Sequence, residues 1–383
     1  MATFVWTCFD GGGNVPPSIG IARELELRGH DVVFVGRPEM APRVAAAGFR
    51  AHVLTSSYLH EERYGWHPRG RLFSYLTSPA VGDEILDLCR RLRPDALVVD
   101  AMFGAALDVA PAAGVPVCVM LHTFLHRTVD GWDTLMAEQG TARSRSGLGE
   151  LPGLRTLWGR ADALHVNALE EFDTAPTECW PTAGHGGPIL EQDARARPLV
   201  PRRDTTPLVL VSFSTAAAQS SPGKLQRTLD GLAHLPVRVV ATVGSLEPAA
   251  LRTPANAEVT AFADHGALMS DARLVISHGG HGTAMRALSH GLPLLCLTGR
   301  AADQEGVAAL DQPRVAAFLE ERGAGVSLGA DAEPGAIRDA TSMLLDDARF
   351  HDGAALLAER LRTHDGAVEG ADRVVALVGA PRG

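Results

Sequence analysis

Leu274-Val275-Ile276-Ser277-His278-Gly279-Gly280-His281-Gly282-Thr283 runs an apolar triplet straight into a segment rich in glycine. Ala284, Ala287 and Leu288 then recur at helical spacing until Gly291 and Pro293 stop the pattern. This order predicts a short buried strand, a glycine turn and a helix. Glycines at such a turn let backbone N–H groups approach a ligand, and the helix start adds unpaired donors and a positive dipole, so the turn suits a diphosphate. The competing reading is a turn that merely needs small residues, and a lone Gly-x-Gly would leave that reading ahead. His278 and His281 as metal ligands would need a third ligand at a sensible spacing, and none stands out; no metal is expected.

Outward from this turn the same alternation repeats. Upstream, Leu208-Val209-Leu210-Val211 leads into Ser212-Phe213-Ser214-Thr215, a helix to about Leu232 and a strand from Val237 to Val243. At the start of the chain, Thr3 to Phe9 is followed by Gly11-Gly12-Gly13, a helical pattern (Ile19, Ala22, Leu25, Leu27) ending at Gly29, and Val32-Val33-Phe34-Val35. Ala96 to Val99, a helix to about Gly114, and Val115 to Leu121 continue it. Short, fully apolar strands separated by helices predict parallel sheets covered on both faces. Gly, Pro and Arg cluster between 184 and 207, which reads as a linker. The expected organisation is a Rossmann-like domain over 1–187, a linker over 188–206, a second Rossmann-like domain over 207–365, and a C-terminal helix over 366–383 available to pack back on the first domain. Ligands belong at the carboxyl ends of the strands, in a central cleft that the two doubly wound domains face.

The 383 residues suffice for two cores. Apolar residues make up 46% and charged ones 21%, a globular balance. The net charge of −10 comes with no basic cluster, which argues against nucleic acid. Cys8, Cys89, Cys118, Cys179 and Cys296 are odd in number and lack a CxxC pair, as expected of reduced thiols in the cytoplasm. The apolar stretch near 96–121 is broken by Asp100, Asp108, Pro111 and Pro116, and no signal peptide or membrane span is expected. Residues 56–80 hold all three tyrosines, Tyr58, Tyr64 and Tyr75, with Trp66 and Phe73. Such a loop suits a large, partly apolar ligand, although aromatics tucked onto the domain are about as common.

The run HGGHGTAMRALSHGLPLLCL from His278 to Leu297, followed by Asp311-Gln312, resembles the donor signature of family 1 glycosyltransferases of GT-B fold, bacterial natural-product enzymes above all. Gly13-Asn14-Val15-Pro16-Pro17 resembles the family's opening Gly-His-Val-Asn-Pro, Arg93 to Asp100 its strand ending in aspartate, and Val211 to Thr215 its Ser-Leu-Gly-Thr loop. The resemblance implies a metal-independent, inverting transfer from a TDP or UDP sugar to the hydroxyl of a hydrophobic natural product, with the nucleotide sugar as cosubstrate and no cofactor. It places the acceptor in the first domain, at Tyr58, Tyr64, Trp66, Phe73 and Tyr75, and the donor in the second. His278, with Gly279, Gly280, Gly282 and Thr283, would hold the diphosphate; Ser214 and Thr215 would belong to the same site; Phe262 would stack on the base; Asp311 and Gln312 would hold sugar hydroxyls. A second pair, Asp303-Gln304, competes for that last role, because the segment before Asp311 is longer than usual. The expected partners are donor and acceptor, with a homodimer left open.

Three positions depart from the family pattern: Arg286 stands where a glutamate commonly grips the ribose, Asp264 replaces a proline, and Asn14 replaces the general-base histidine. A carboxamide takes no proton at neutral pH. Asp100 is then the first candidate for the base, with Asp10 and His122 next. Asp10 and Asp100 would serve equally well as caps, and a satisfied core histidine is the commoner fate of a residue like His122. The resemblance leaves two rival readings: a catalytically silent auxiliary protein of the same fold, and another GT-B enzyme such as a nucleotide-sugar epimerase. A nicotinamide dehydrogenase is disfavoured, since the opening glycines make no GxGxxG and the second strand ends in Gly36-Arg37.

Overall fold

A computed structural model describes residues 1–9, 13–56, 75–129, 131–132, 140, 143–144, 147–149, 154–174, 182–191, 205–213, 221–244, 246–298 and 308–378. The chain forms two compact units, Met1–Glu191 with Asp365–Gly383, and Gln192–His364.

In the first unit seven parallel strands lie in the order β3-β2-β1-β4-β5-β6-β7. They are β1 (Thr3–Thr7), β2 (Asp31–Gly36), β3 (Arg50–Val53), β4 (Ala96–Asp100), β5 (Val117–Leu121), β6 (Ala163–Val166) and β7 (Ala183–His185). β4 and β5 are buried along their whole length, which is why they read as unbroken apolar runs. Helices α1 (Val15–Leu27), α2 (Ala41–Ala46), α3 (Pro79–Leu92), α4 (Gly104–Ala113) and α5 (Leu154–Trp158) connect them. The start and stop of α3 are written locally. Ser78 Oγ accepts from the Val81 amide, Pro79 opens the helix, and Arg93 closes it in the left-handed region at φ 49°. Trp6, Phe34, Ile21 and Met120 centre the core, and Ile189, just past Gly187-Pro188, is buried in it.

The second unit is a six-stranded parallel sheet of order β10-β9-β8-β11-β12-β13. Its strands are β8 (Leu208–Ser212), β9 (Arg238–Thr242), β10 (Ala257–Thr260), β11 (Ala272–Ser277), β12 (Leu294–Leu297) and β13 (Gly325–Leu328). Helices α6 (Pro222–Leu232), α7 (His265–Asp271), α8 (His281–Ser289), α9 (Ala308–Glu321), α10 (Pro334–Asp346) and α11 (Ala348–Leu361) complete it. The chain then returns to the first unit as α12 (Gly366–Val378), which packs on α1 and buries Ala371 and Val374 in that unit's core. In both sheets the strand order reverses beside the first strand of the unit, between β1 and β4 and between β8 and β11. Those switch points are where a doubly wound sheet opens a ligand crevice at its carboxyl edge. Among the described residues no helix is long and apolar enough to cross a membrane.

Candidate functional site

In the second unit β11 ends at Ser277, and the next residues turn under tight constraint. Ser277 Oγ is fully buried and accepts from the Gly279 amide at 3.0 Å. Gly279 adopts φ +85°, and a Cβ there would lie 2.9 Å from the Gln312 carbonyl oxygen. The turn is thereby pressed against the start of α9, so Asp311 and Gln312, fourteen positions beyond β12, come beside it. Gly280 is the N-cap of α8, and a Cβ on it would meet His278 Nε2 at 2.5 Å, so the imidazole lies over that glycine. His278 is 9% exposed, and its Nδ1 is buried without a hydrogen-bond partner. Burial first, and the charge of Lys224 second, push its pKa down to about 4 against a hydrogen bond with the Ser212 backbone. At neutral pH the ring is therefore uncharged, with a single N–H and one acceptor nitrogen. Gly282 has open space around its Cβ position, and Thr283 is half-buried in the first turn of the helix.

The neighbouring positions give one of the departures from the family pattern a structural role. Asp264 replaces a proline because it caps α7, Oδ1 accepting from the Ala267 amide at 2.9 Å. Phe262, just ahead of it, is half-buried after β10. Arg286 lies in the last turn of α8. His281 is turned into the protein at 4% exposure. Sequence reading missed Lys224, in the first turn of α6. Its Nζ donates to the Leu297 carbonyl at 3.2 Å and lies 5.3 Å from the Phe213 ring centroid.

In the first unit four strand ends carry one row of polar side chains in contact. Asn14 follows β1 as the N-cap residue of α1, yet makes no capping bond; its Nδ2 donates instead to Asp100 Oδ2 at 2.8 Å. Asp100, at the end of β4, is 1% exposed, and its Oδ1 accepts from the Met102 amide at 2.9 Å. His122, just after β5, brings Nε2 to 3.1 Å from Asp100 Oδ2, an ion-pair distance without the alignment of a hydrogen bond. Its Nδ1 faces Asn167 Nδ2 at 3.2 Å, just after β6. Asp100 and Asn14 were drawn together by the sequence reading; Asn167 was not, because a lone asparagine behind an apolar strand carries no motif. Asp100 does also hold the turn after its strand, through Met102. Tyr75, expected among the acceptor contacts, is a core residue: 2% exposed, edge-on to Phe103 at 5.3 Å, with burial pushing its phenol pKa up. Asp10, Tyr58, Tyr64, Trp66, Phe73, Ser214, Thr215, Asp303 and Gln304 lie outside the described residues.

His126, Asp173 and His185 bring potential metal-ligand atoms within 4.8 Å of one another. The Asp173 carboxylate there is already engaged by the amides of Leu125, His126 and Arg127 and by His185 Nε2. Four donors occupy the lone-pair positions of one carboxylate, so its evident work is to fold the 125–127 turn against β7.

Two parallel-sheet Rossmann-like units, each with polar residues gathered at its switch point, define the GT-B class of glycosyltransferase. The family model for the erythromycin biosynthesis protein CIII-like C-terminal domain matches residues 226–377. Over 352 residues the chain is 31% identical to the aclacinomycin-T 2-deoxy-L-fucose transferase of Streptomyces galilaeus, covering 76% of this chain and 78% of that relative. The calicheamicin glycosyltransferase CalG4 superposes with a TM-score of 0.76 at 22% identity, over 100% of both chains. The glycosyltransferase VinC, solved in complex with DTDP, superposes at 0.72 and 18% identity, over 98% of this chain and 99% of its own. The chain belongs to the natural-product glycosyltransferases of antibiotic pathways.

Proposed function

We propose that this glycosyltransferase moves a deoxysugar from a TDP or UDP sugar to a hydroxyl of a hydrophobic natural product, by inverting displacement and without a metal ion. The observation that carries the donor half is His278: a buried, uncharged imidazole with an unpartnered nitrogen, at the switch point and just ahead of the α8 N-terminus. As the glycosidic bond breaks, negative charge grows on the leaving diphosphate. An imidazole N–H given up to that charge, together with a helix start beside it, stabilises the transition state more than the ground state. TDP is favoured by the DTDP that VinC holds on the same fold. Asp311 and Gln312, brought to the turn through Gly279, are suited to the sugar hydroxyls, and Phe262 to the base. The buried thiols Cys8, Cys89, Cys118 and Cys296 fit a reducing compartment such as the cytoplasm.

The acceptor half rests on the first unit's row of strand ends. Asn14 is its half-exposed member. With Nδ2 spent on Asp100, its carbonyl oxygen is left to accept from an incoming hydroxyl. A hydroxyl that displaces the amide from Oδ2 meets a carboxylate held in place by the Met102 amide, with His122 Nε2 beside the same oxygen. The proton passes to Asp100 as the oxygen attacks the anomeric carbon from the face opposite the diphosphate.

The deciding experiment is turnover of TDP and UDP sugars with His278→Ala. Removing one such donor lowers kcat by about a hundredfold or more, and unchanged turnover would remove the diphosphate from this turn.

A further inference from the structure

Lys224 is the only lysine in the chain; every other one of the 35 basic side chains is an arginine. Its position runs against local preference. Ser221 caps α6, its Oγ accepting from the Lys224 amide at 3.3 Å, so Lys224 is the third residue of the helix, where a capping box places Glu or Gln. A cation in the first turn also opposes the helix dipole. The ammonium is not turned away to solvent. It reaches the carboxyl edge of the sheet, donating to Leu297 O at the end of β12 and lying against Phe213 just after β8. Between those strands lies β11, whose next residue is His278, and Lys224 acts electrostatically on that imidazole. Burial holds the amine below its ordinary pKa, with Arg227 adding to the shift and no carboxylate opposing it. Among the described residues no anion is paired with it.

A half-buried cation without a counter-ion gives up part of its hydration and is costly unless something supplies the charge. Beside it the His278 Nδ1 is buried and lacks a partner as well. We propose that Lys224 is a donor-site residue whose ammonium, across the ends of β8, β11 and β12, binds the diphosphate of the sugar nucleotide together with His278. The charge that grows on the leaving group is thus met by a side-chain cation carried on α6. This rests on the nucleotide-sugar reading above, and it assigns to one lysine the electrostatic work that the turn's backbone alone would otherwise do.

Calorimetric titration of the whole protein with TDP, UDP and thymidine, on wild type, Lys224→Met and Lys224→Arg, tests it. Lys224→Met is expected to weaken TDP or UDP at least tenfold while thymidine binding stays within twofold, and Lys224→Arg to keep part of the loss from appearing. Ligand-free Lys224→Met should melt no lower than wild type, since the variant removes an uncompensated, half-buried charge. With TDP present its melting temperature should rise less than that of wild type. Nucleotide binding equal to wild type in Lys224→Met overturns the assignment and leaves the donor reading standing. Equal losses for TDP and thymidine also overturn it, since the lysine would then only shape the base pocket. Failure of wild type to bind either nucleotide overturns the donor reading itself.

Discussion

Asn14 spends its side chain in an unusual way for a residue at the start of a helix. A side chain at an N-cap closes the first turn by accepting from the second or third amide of the helix, but in α1 those residues are Pro16 and Pro17, which carry no N–H, so Asn14 has no such bond to make and its amide is committed to Asp100. Two substitutions separate orientation from proton transfer. Asp100→Asn is expected to remove most turnover on an alcohol acceptor, on the scale of about a hundredfold or more for a lost general base, while the Kd for TDP is unchanged. Asn14→His puts an imidazole beside the same carboxylate and should be tolerated, with rates on alcohol acceptors at least maintained. If Asp100→Asn turns over near-normally across the pH range, the base is Asp10 or His122, or the acceptor is acidic enough to need none. Asn14 and Asp100 could be singled out in the sequence because each sits in a motif. His122 could be named only as one candidate among several, and Asn167 not at all, because contacts across 45 residues of sequence are made by sheet register rather than by spacing.

The glycine turn between β11 and α8 illustrates what an element adds to its residues. Its three glycines look alike in sequence but meet different demands. Gly279 needs both a positive φ and room against Gln312 O, Gly280 needs room under the His278 ring, and Gly282 faces open space. Gly279→Ala should therefore cost about 1–3 kcal/mol in backbone strain and push α9, with Asp311, away from the turn. About 2–4 °C of Tm is expected per kcal/mol in a unit of this size, along with poorer use of the sugar nucleotide. Gly282→Ala should leave Tm near that of wild type. Equal melting of the two variants, followed by differential scanning calorimetry, would show that Gly279 carries no such constraint. Strand, turn and helix were readable here because buried parallel strands are written as continuous apolar runs and glycine marks the break. The lysine of α6 was not readable as part of this site, because a cation in a helix's first turn gives no sign of which strand ends it will reach.

At the scale of the molecule, each unit conceals an uncharged histidine, and acid should find both. His165 on β6 is fully buried, with neither nitrogen partnered, beneath Gly186 and Gly370, and its pKa is pushed down to about 3 by burial and then by Arg373, His122 and His185. His278 in the other unit sits at about 4. Unfolded histidines take up a proton near 6.5. Below that value the unfolded state gains protons that the folded state refuses, so each such group withdraws about 1.4 kcal/mol of stability per pH unit until its folded pKa is reached. Calorimetry between pH 7 and 4 should show both units melting lower as acid is added. His165→Leu should flatten that decline for the first unit and leave the second as it was; parallel declines for variant and parent would refute the account. Two parallel-sheet domains were evident from the alternation of runs, and the C-terminal helix was read as available to pack back on the first domain, but its pattern does not say which surface it covers, because that surface is a stripe on α1 from the opposite end of the chain. That return has a consequence for how the protein is made. Ile21, which lies against Gly370, and Arg28, paired with Asp372, wait for α12 to leave the ribosome, as does the core that receives Ala371 and Val374. At about 5–20 residues per second, translation of the whole second unit intervenes, so the first-born unit is the last to close, with an apolar stripe uncovered for on the order of ten seconds and open to chaperones throughout.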